Sequence, residues 1–336
     1  MKIRDKTLAI LGITFIFLFA LLIVTTDQIM GNSYERLEEK EVAQNVARAS
    51  EALGTKVNTL AILARDYGAW DDTFYFVQGE NEAYINETLT PSIVANLETN
   101  FILFYNSSRN LYYAVGVDLE SAEEKNISSA MLEDITSTES LFTPLENQEI
   151  YGIINSPEGP LLIASYQITK TLGGESAGTI IFARYLDAAV IEELEETTKL
   201  SLNTEIFNQD DAASYPIISP LNSKHGTFYL DHITETTITG TTILEDINGN
   251  PILALDVEMP RDIYQQGQST IEYVFYAILA IGFIFGLVLT SSLEKTVLSR
   301  LSLLSKNLTE ITEKGSLSSR VQLKGNDELQ NLADNI

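Results

Sequence analysis

The sequence predicts an α+β domain held between two transmembrane helices, entered through a long helix and followed by a further helical segment. Three observations carry this expectation. Two runs contain no charged residue, Thr7–Thr26 with 20 residues and Tyr273–Leu293 with 21. After the first run, apolar residues recur at helical spacing. From about residue 100 they gather instead into short runs bounded by turn residues.

Each uncharged run is long enough to cross a bilayer, which takes roughly 20 apolar residues of helix. Neither shows the polar stripe of a buried core helix. Lys2, Arg4 and Lys6 could form the basic end of a cleaved signal peptide. Val24-Thr25-Thr26-Asp27, however, offers no small-residue cleavage site, and a helical pattern follows directly, so an uncleaved anchor is preferred. Lys295, Arg300 and Lys306 follow the second run. With basic residues flanking both runs on the terminal sides, residues 1–6 and the C-terminal segment are expected in the cytoplasm and residues 27–272 outside.

The outer segment holds 40 acidic against 12 basic residues, a net charge of −28, whereas the remainder carries 7 and 9. An excess of this kind opposes binding to nucleic acid or to anionic lipid through a broad charged face. There is no cysteine, hence no disulfide. A segment of about 245 residues buries a core without one.

Val42, Val46, Ala49, Leu53, Val57, Leu60, Ala64 and Tyr67 step by three and four, one face of a long helix leaving the membrane. No proline precedes Pro91, so nothing forces a break. Strands are predicted at Asn100–Tyr105, Leu111–Val117, Leu161–Tyr166 and Thr179–Tyr185, with Asn106–Asn110 as a hairpin turn and Gly173-Gly174 as the turn before the last. A helix is predicted over Asp187–Lys199, with Asp187 as N-cap. Further strands follow at Leu202–Phe207, Thr227–Leu230, Thr236–Leu244 and Ile252–Glu258, and Asn248-Gly249 suits a type I′ turn. The order suggests two antiparallel modules joined near residue 190, the second covering 191–272.

Gly282-x-x-x-Gly286 in the second span permits close approach of another membrane helix. Beyond it, Leu301, Leu304, Leu308 and Ile311 form a coiled-coil seam, and Leu329, Leu332 and Ile336 begin a second. Two such short helices are expected to need a partner chain, so a homodimer is predicted.

Asp71 and Asp72, beside Tyr67 and Trp70, form a carboxylate pair with an aromatic wall, able to hold a cation or an amine-bearing ligand. Capping of the next helix is the preferred role, because adjacent helical residues point about 100° apart. Arg184 lies in a strand-like run and needs a buried carboxylate, for which Asp72 is the proposed partner. Asp246-x-Asn-x-Asn250 begins like a calcium loop but has Pro251 and Val257 at the glycine and final glutamate positions. His225 and His232, seven apart and without cysteine, make a poor metal site, and no metal or cofactor is expected. No nucleophile and base pair off, so this chain is not expected to be an enzyme. Neither histidine is cytoplasmic, which leaves no histidine-kinase phosphoacceptor.

Two family resemblances attach to these residues. Asp66-Tyr-Gly-Ala-Trp-Asp-Asp-Thr73, Gly159-Pro-Leu-Leu-Ile-Ala-Ser165 and Gly178-Thr-Ile-Ile-Phe-Ala-Arg-Tyr-Leu-Asp187 resemble CHASE4, an extracytoplasmic sensor domain of bacterial and archaeal receptors, over about 42–190. The resemblance implies a Cache- or PAS-like sensor fold. Residues 294–336 resemble part of a HAMP domain, a helix–connector–helix dimer module that relays signals below a membrane span. The matching features are the first seam, Gly315-Ser-Leu-Ser-Ser-Arg-Val321, and Gly325-Asn-Asp-Glu-Leu329, where Asn326 or Asp327 would cap and Glu328 would favour the helix N-terminus. Arg300 stands where the usual proline would, so the junction with the membrane helix is expected to differ.

Together these imply the input and relay portion of a transmembrane receptor, sensing an unidentified small molecule or ion outside the cell. The output, such as a histidine kinase or diguanylate cyclase, is expected outside this chain, which ends in mid-helix at Ile336. The alternative is a stand-alone membrane-anchored binding protein with no signalling output.

Overall fold

A computed structural model describes residues 3–142, 148–207, 228–231, 234–314 and 328–334. Two units emerge: Glu38–Arg261, and Met1–Leu37 with Asp262–Ile336. The sequence-based outer boundary of 27–272 is wider than the first unit, because helix continues past each uncharged run before the unit begins.

Helix α1 (Ile3–Gly68) is unbroken for 66 residues, as the lack of proline allows. From Glu38 onward it serves the α+β unit. Val42, Val46, Ala49, Leu53, Val57, Leu60 and Ala64 are all buried, and Tyr67 packs against the same core. The apolar cluster along this stripe extends into both sheets of the unit.

The first sheet has five strands: β1 (Phe101–Asn106), β2 (Leu111–Gly116), β3 (Ile150–Ser156), β4 (Gly159–Ile168) and β5 (Gly178–Tyr185). Their order is β2-β1-β5-β4-β3, with every pairing antiparallel. Successive residues alternate between two cores. Ile102, Phe104, Leu162, Ala164, Ile180 and Phe182 share the core of α1. Phe101, Leu103, Leu161, Ile163, Ile181 and Ala183 face a second core with Met131 and Ile135 of α5 (Ser129–Ser137). Both faces are covered, which explains why these strands read as continuous apolar runs.

Short helices α2 (Asp71–Val77), α3 (Tyr84–Thr88) and α4 (Pro91–Asn96) connect α1 to β1. Helix α6 (Ala188–Thr198) connects the sheets, and the Asp187 carboxylate accepts from the Val190 amide at 3.1 Å, the predicted cap. The second sheet contains β6 (Ser201–Ile206), β7 (Phe228–Asp231), β8 (Thr237–Glu245) and β9 (Pro251–Pro260) in the order β6-β9-β8-β7. A Cβ placed on Gly240 of β8 would lie 2.3 Å from Val42 and 2.7 Å from Val46, so this glycine lets α1 lie close on the sheet.

One turn differs from expectation. A type I′ turn needs positive φ at two residues, yet at Asn248-Gly249 only Gly249 has it, at +84°. The loop is a five-residue closure in which the Asp246 and Gly249 amides donate to the Asn250 and Asp246 carbonyls, while the Asp246 carboxylate accepts from the Asn248 and Asn250 amides. Asn106–Asn110 is built the same way, with Arg109 at φ +61° and the Asn106 side chain accepting from Ser108 and Asn110.

In the other unit, α1 and the helix α7 (Asp262–Leu293) contain stretches apolar enough to cross a membrane, with mean hydropathy 2.6 and 2.3. A π-helical turn, Glu294–Leu298, joins α7 to α8 (Ser299–Lys314). Helix α9 (Glu328–Asp334) follows. The connector residues Gly315–Val321 and Leu323, the capping stretch Gly325–Asp327, Ile336, His225 and His232 lie outside the described residues.

Candidate functional site

The stretch from Asp66 to Thr73 fastens the end of α1 to the first sheet. Tyr67 stacks on Trp70 with ring centroids 4.5 Å apart and meets Phe182 edge-on at 5.6 Å. Burial pushes the Tyr67 phenol up. Gly68 is required by proximity, since a Cβ there would lie 2.8 Å from Tyr166 and 3.0 Å from the Gln167 carbonyl. The Gly68 carbonyl accepts from the Thr169 amide at 2.9 Å.

Asp71 and Asp72 occupy the first turn of α2, where carboxylates suit the helix N-terminus. The N-cap is Trp70, and it supplies no side-chain bond. Asp71 instead accepts from the Thr171 amide at 2.8 Å, reaching the β4–β5 loop. In that loop Lys170 lies over the Phe74 and Tyr75 rings at 5.0 and 5.1 Å. The Thr73 hydroxyl meets the Tyr84 hydroxyl at 2.8 Å, and burial holds the Tyr84 phenol far above its ordinary value. Tyr67, Trp70 and Asp71 therefore act together as a latch.

Arg184 corrects the sequence reading. Its partners are Glu98 and Glu193, not Asp72: Nη1 donates to Glu98 at 3.0 Å and Nη2 to Glu193 at 2.7 Å. The alternation of β5 explains this, because Arg184 shares the parity of Ile180 and Phe182 and so faces α1 and α6. Lys56 of α1 bonds the other Glu193 oxygen and lies 3.6 Å from Glu98. The Arg184 side chain is only 7% exposed, against 64% for Glu98 and 38% for Glu193. Burial alone would raise the Glu193 carboxyl; hydrogen bonds and charge from Lys56 and Arg184 outweigh it and hold the group below the usual glutamate range.

Two features set this cluster apart. The buried Arg184 Nε has no hydrogen-bond partner among the described residues, a deficit that ordinarily costs about 1–3 kcal/mol. Glu98 has φ +52° just after α4, a left-handed position usually given to glycine. The cluster borders a cavity of about 340 Å³, with Leu60, Leu97, Leu162 and Leu194 as apolar lining and Thr55, Thr59 and Thr197 among its polar edges. Of this site the sequence reading named Arg184 alone. Lys56, Glu98 and Glu193 carried no signal distinguishing them from surface charges.

A second ion pair was also missed. Arg261, directly after β9, places Nε and Nη2 on the two oxygens of Glu38 at 3.0 and 2.8 Å. Both side chains are buried, at 9% and 4% exposure. Arg261 is the only Lys or Arg between Lys224 and Lys295, and that isolation was a usable signal.

Among the expected relay residues, Gly282 packs against Phe19 of the first uncharged run, 1.8 Å from where a Cβ would stand, so its close approach is made within the chain. Gly286 has open space. Leu304 is buried with Ala333, and Leu308 packs beside them, joining α8 to α9. Leu301 and Leu329 are half-buried, and Glu328 opens α9 in an exposed position. Ile311 and Leu332 lie within these helices, their side chains outside the described set.

Residues 52–205 match the CHASE4 domain. The chain is 29% identical over 341 residues to the methanogenesis regulatory histidine kinase FilI of Methanothrix harundinacea (strain 6Ac), covering 100% of this chain and 38% of that protein. Among solved structures, the periplasmic domain of Vibrio cholerae LuxQ is similar at TM-score 0.44 and 14% identity, over 65% of this chain and 99% of the other. The ligand-binding domain of the Campylobacter jejuni chemoreceptor Tlp3, solved with L-valine, gives TM-score 0.40 and 11% identity over 70% and 98%.

Proposed function

We propose that this chain is the input and relay portion of a two-pass transmembrane receptor, whose CHASE4 domain meets a small-molecule cue outside the cell. The observation that carries this reading is the attachment of that domain. Helix α1 runs without interruption from an apolar stretch into the domain core, and Arg261 passes directly into α7, which carries the other apolar stretch. A domain joined at both ends to membrane helices has a direct mechanical route for a signal.

The relative is a histidine kinase of which this chain spans 38%, and a kinase output beyond the matched part is the corresponding proposal. The segment after α7 would act as a HAMP-type relay in a homodimer. Val297 and Leu303, exposed at 44% and 48%, give a second copy apolar surface to cover. Both termini would lie in the cytoplasm.

The absence of cysteine makes the test clean. Leu172→Cys, at a fully exposed position, is expected to react with a membrane-impermeant maleimide in intact cells, and Ser305→Cys only after lysis. Equal or reversed labelling contradicts the topology. Joining the chain to the kinase portion of the relative then tests relay. Autophosphorylation indifferent to every substitution in Glu38–Arg261 would favour the stand-alone binding protein.

A further inference from the structure

Four Asn-x-Ser/Thr triplets occur in the chain: Asn86-Glu-Thr88, Asn106-Ser-Ser108, Asn126-Ile-Ser128 and Asn307-Leu-Thr309. Such a triplet is the acceptor for N-linked sugar outside the membrane. The asparagine Nδ2 reacts, and the hydroxyl two residues on must be free for the transferase to grip. In sequence the four are equivalent; the fold separates them. Asn86 and Thr88 both lie within α3, where residues two apart point about 200° from each other. One catalyst cannot meet both side chains there. Ser128 is already engaged: its Oγ accepts from the Met131 amide at 3.3 Å as the cap of α5, and it hydrogen-bonds Glu158. Asn307 and Thr309 lie within α8, beyond the second apolar stretch, and Thr309 donates to the Ser305 carbonyl at 2.9 Å.

Asn106 differs on each count. It opens the β1–β2 loop, and its Oδ1 accepts from the Ser108 and Asn110 amides, both at 3.0 Å. Backbone amides only donate, so these two bonds fix which side of the group is oxygen and leave Nδ2 out of the loop. Among the described residues Nδ2 is neither hydrogen-bonded nor buried. The Ser108 hydroxyl has no partner among them either, and Ser107 and Ser108 are exposed. Strand β2 is an edge strand, so the loop stands at the margin of the sheet. We propose that Asn106 is a site of N-linked glycosylation. The proposal uses the topology of the receptor reading, which puts this loop outside the cell. Nδ2 attacks the anomeric carbon of a sugar carried on a polyprenyl pyrophosphate. The N–C bond forms as the C–O bond to phosphate breaks; the pyrophosphate leaves with the electron pair, and one Nδ2 proton passes to a base of the transferase.

The test is peptide mass spectrometry of the chain purified from the membranes of the cells that encode it. A glycan is expected on Asn106, with Asn86, Asn126 and Asn307 bare. Ser108→Ala is expected to lose that glycan and Ser108→Thr to keep it, with the circular dichroism spectrum unchanged in both. A second arm takes unmodified chain, made in a host without N-glycosylation and held folded in lipid nanodiscs. It receives a purified oligosaccharyltransferase and a polyprenyl-linked oligosaccharide. The folded chain is expected to accept sugar at Asn106, whereas peptides released from it by proteolysis accept at Asn86 and Asn126 as well. The proposal is overturned if Asn106 is bare in the native chain, if folded Asn86 or Asn126 is modified as fully as Asn106, or if Ser108→Ala keeps the glycan. A glycan on Asn307 with Asn106 bare would contradict the topology too. A bare Asn106 with the expected maleimide pattern overturns this proposal alone.

Discussion

Arg261 and Arg184 are both buried arginines of the α+β unit, yet one is closed and the other open. Arg261 sits at the last residue of the unit and Glu38 at the first, so their bidentate pair ties the incoming helix to the outgoing strand. Both members are desolvated, and such a pair holds geometry more than it adds net stability. Arg184 spreads its contacts over two partly hydrated carboxylates, leaves Nε without a partner among the described residues and borders a cavity. The difference separates a filled guanidinium edge from a half-filled one. Burial of an arginine says little about its role until the occupancy of its fork is known.

The largest expected effect comes from breaking the closed pair. Arg261→Ala strands Glu38 without water and is expected to lower unfolding stability by about 3–5 kcal/mol in denaturant titration. Replacing both residues, Glu38→Leu with Arg261→Met, should recover most of that loss. Arg184→Ala should cost less, roughly 1–2 kcal/mol, because its partners can turn to solvent and the remaining loss is packing of the stem. Equal costs at the two positions would erase the comparison.

A smaller effect concerns Glu98. Glu98→Gly relieves the left-handed backbone, whereas Glu98→Ala loses the ion pair and keeps the strain, so the glycine variant should be the more stable by about 0.5–1 kcal/mol. The smallest effect is in pH dependence. The Glu193 carboxyl is held below its usual range in the folded chain. Its contribution is therefore fully present above the unfolded pKa, near pH 4.3, and is lost as pH falls through the lower folded value. Glu193→Gln should flatten the acid limb of the stability profile in that window and leave neutral pH little changed in slope.

Much of the fold was legible because its signals are periodic. The stripe from Val42 to Tyr67 requires only helical spacing, and β1, β4 and β5 stand out because both of their faces are buried. Strand β3 escaped notice because it is an edge strand with exposed Tyr151 and Asn155, whose apolar pairs Ile150-Tyr151 and Ile153-Ile154 are split by Gly152. Helix α5 was hidden in a serine-rich stretch, although Ser128 caps it by accepting from the Met131 amide. The signature around Trp70 was visible, but its role as a latch depends on Gly68 meeting Tyr166, nearly a hundred residues away. The site was legible only at Arg184, where a charge in an apolar strand demands a partner. Glu98 and Glu193 come from opposite sides of the sheet in sequence and resemble any of the 40 acidic residues of the outer segment. No local pattern selects them.

The comparison can be observed directly through the arginine Nε protons of the full chain, selectively labelled with nitrogen-15 and assigned among nine arginines by Arg→Lys variants. The account predicts a hydrogen-bonded, exchange-protected Arg261 signal and an Arg184 signal free of hydrogen bonding. An Arg184 signal as hydrogen-bonded and protected as that of Arg261 would contradict it.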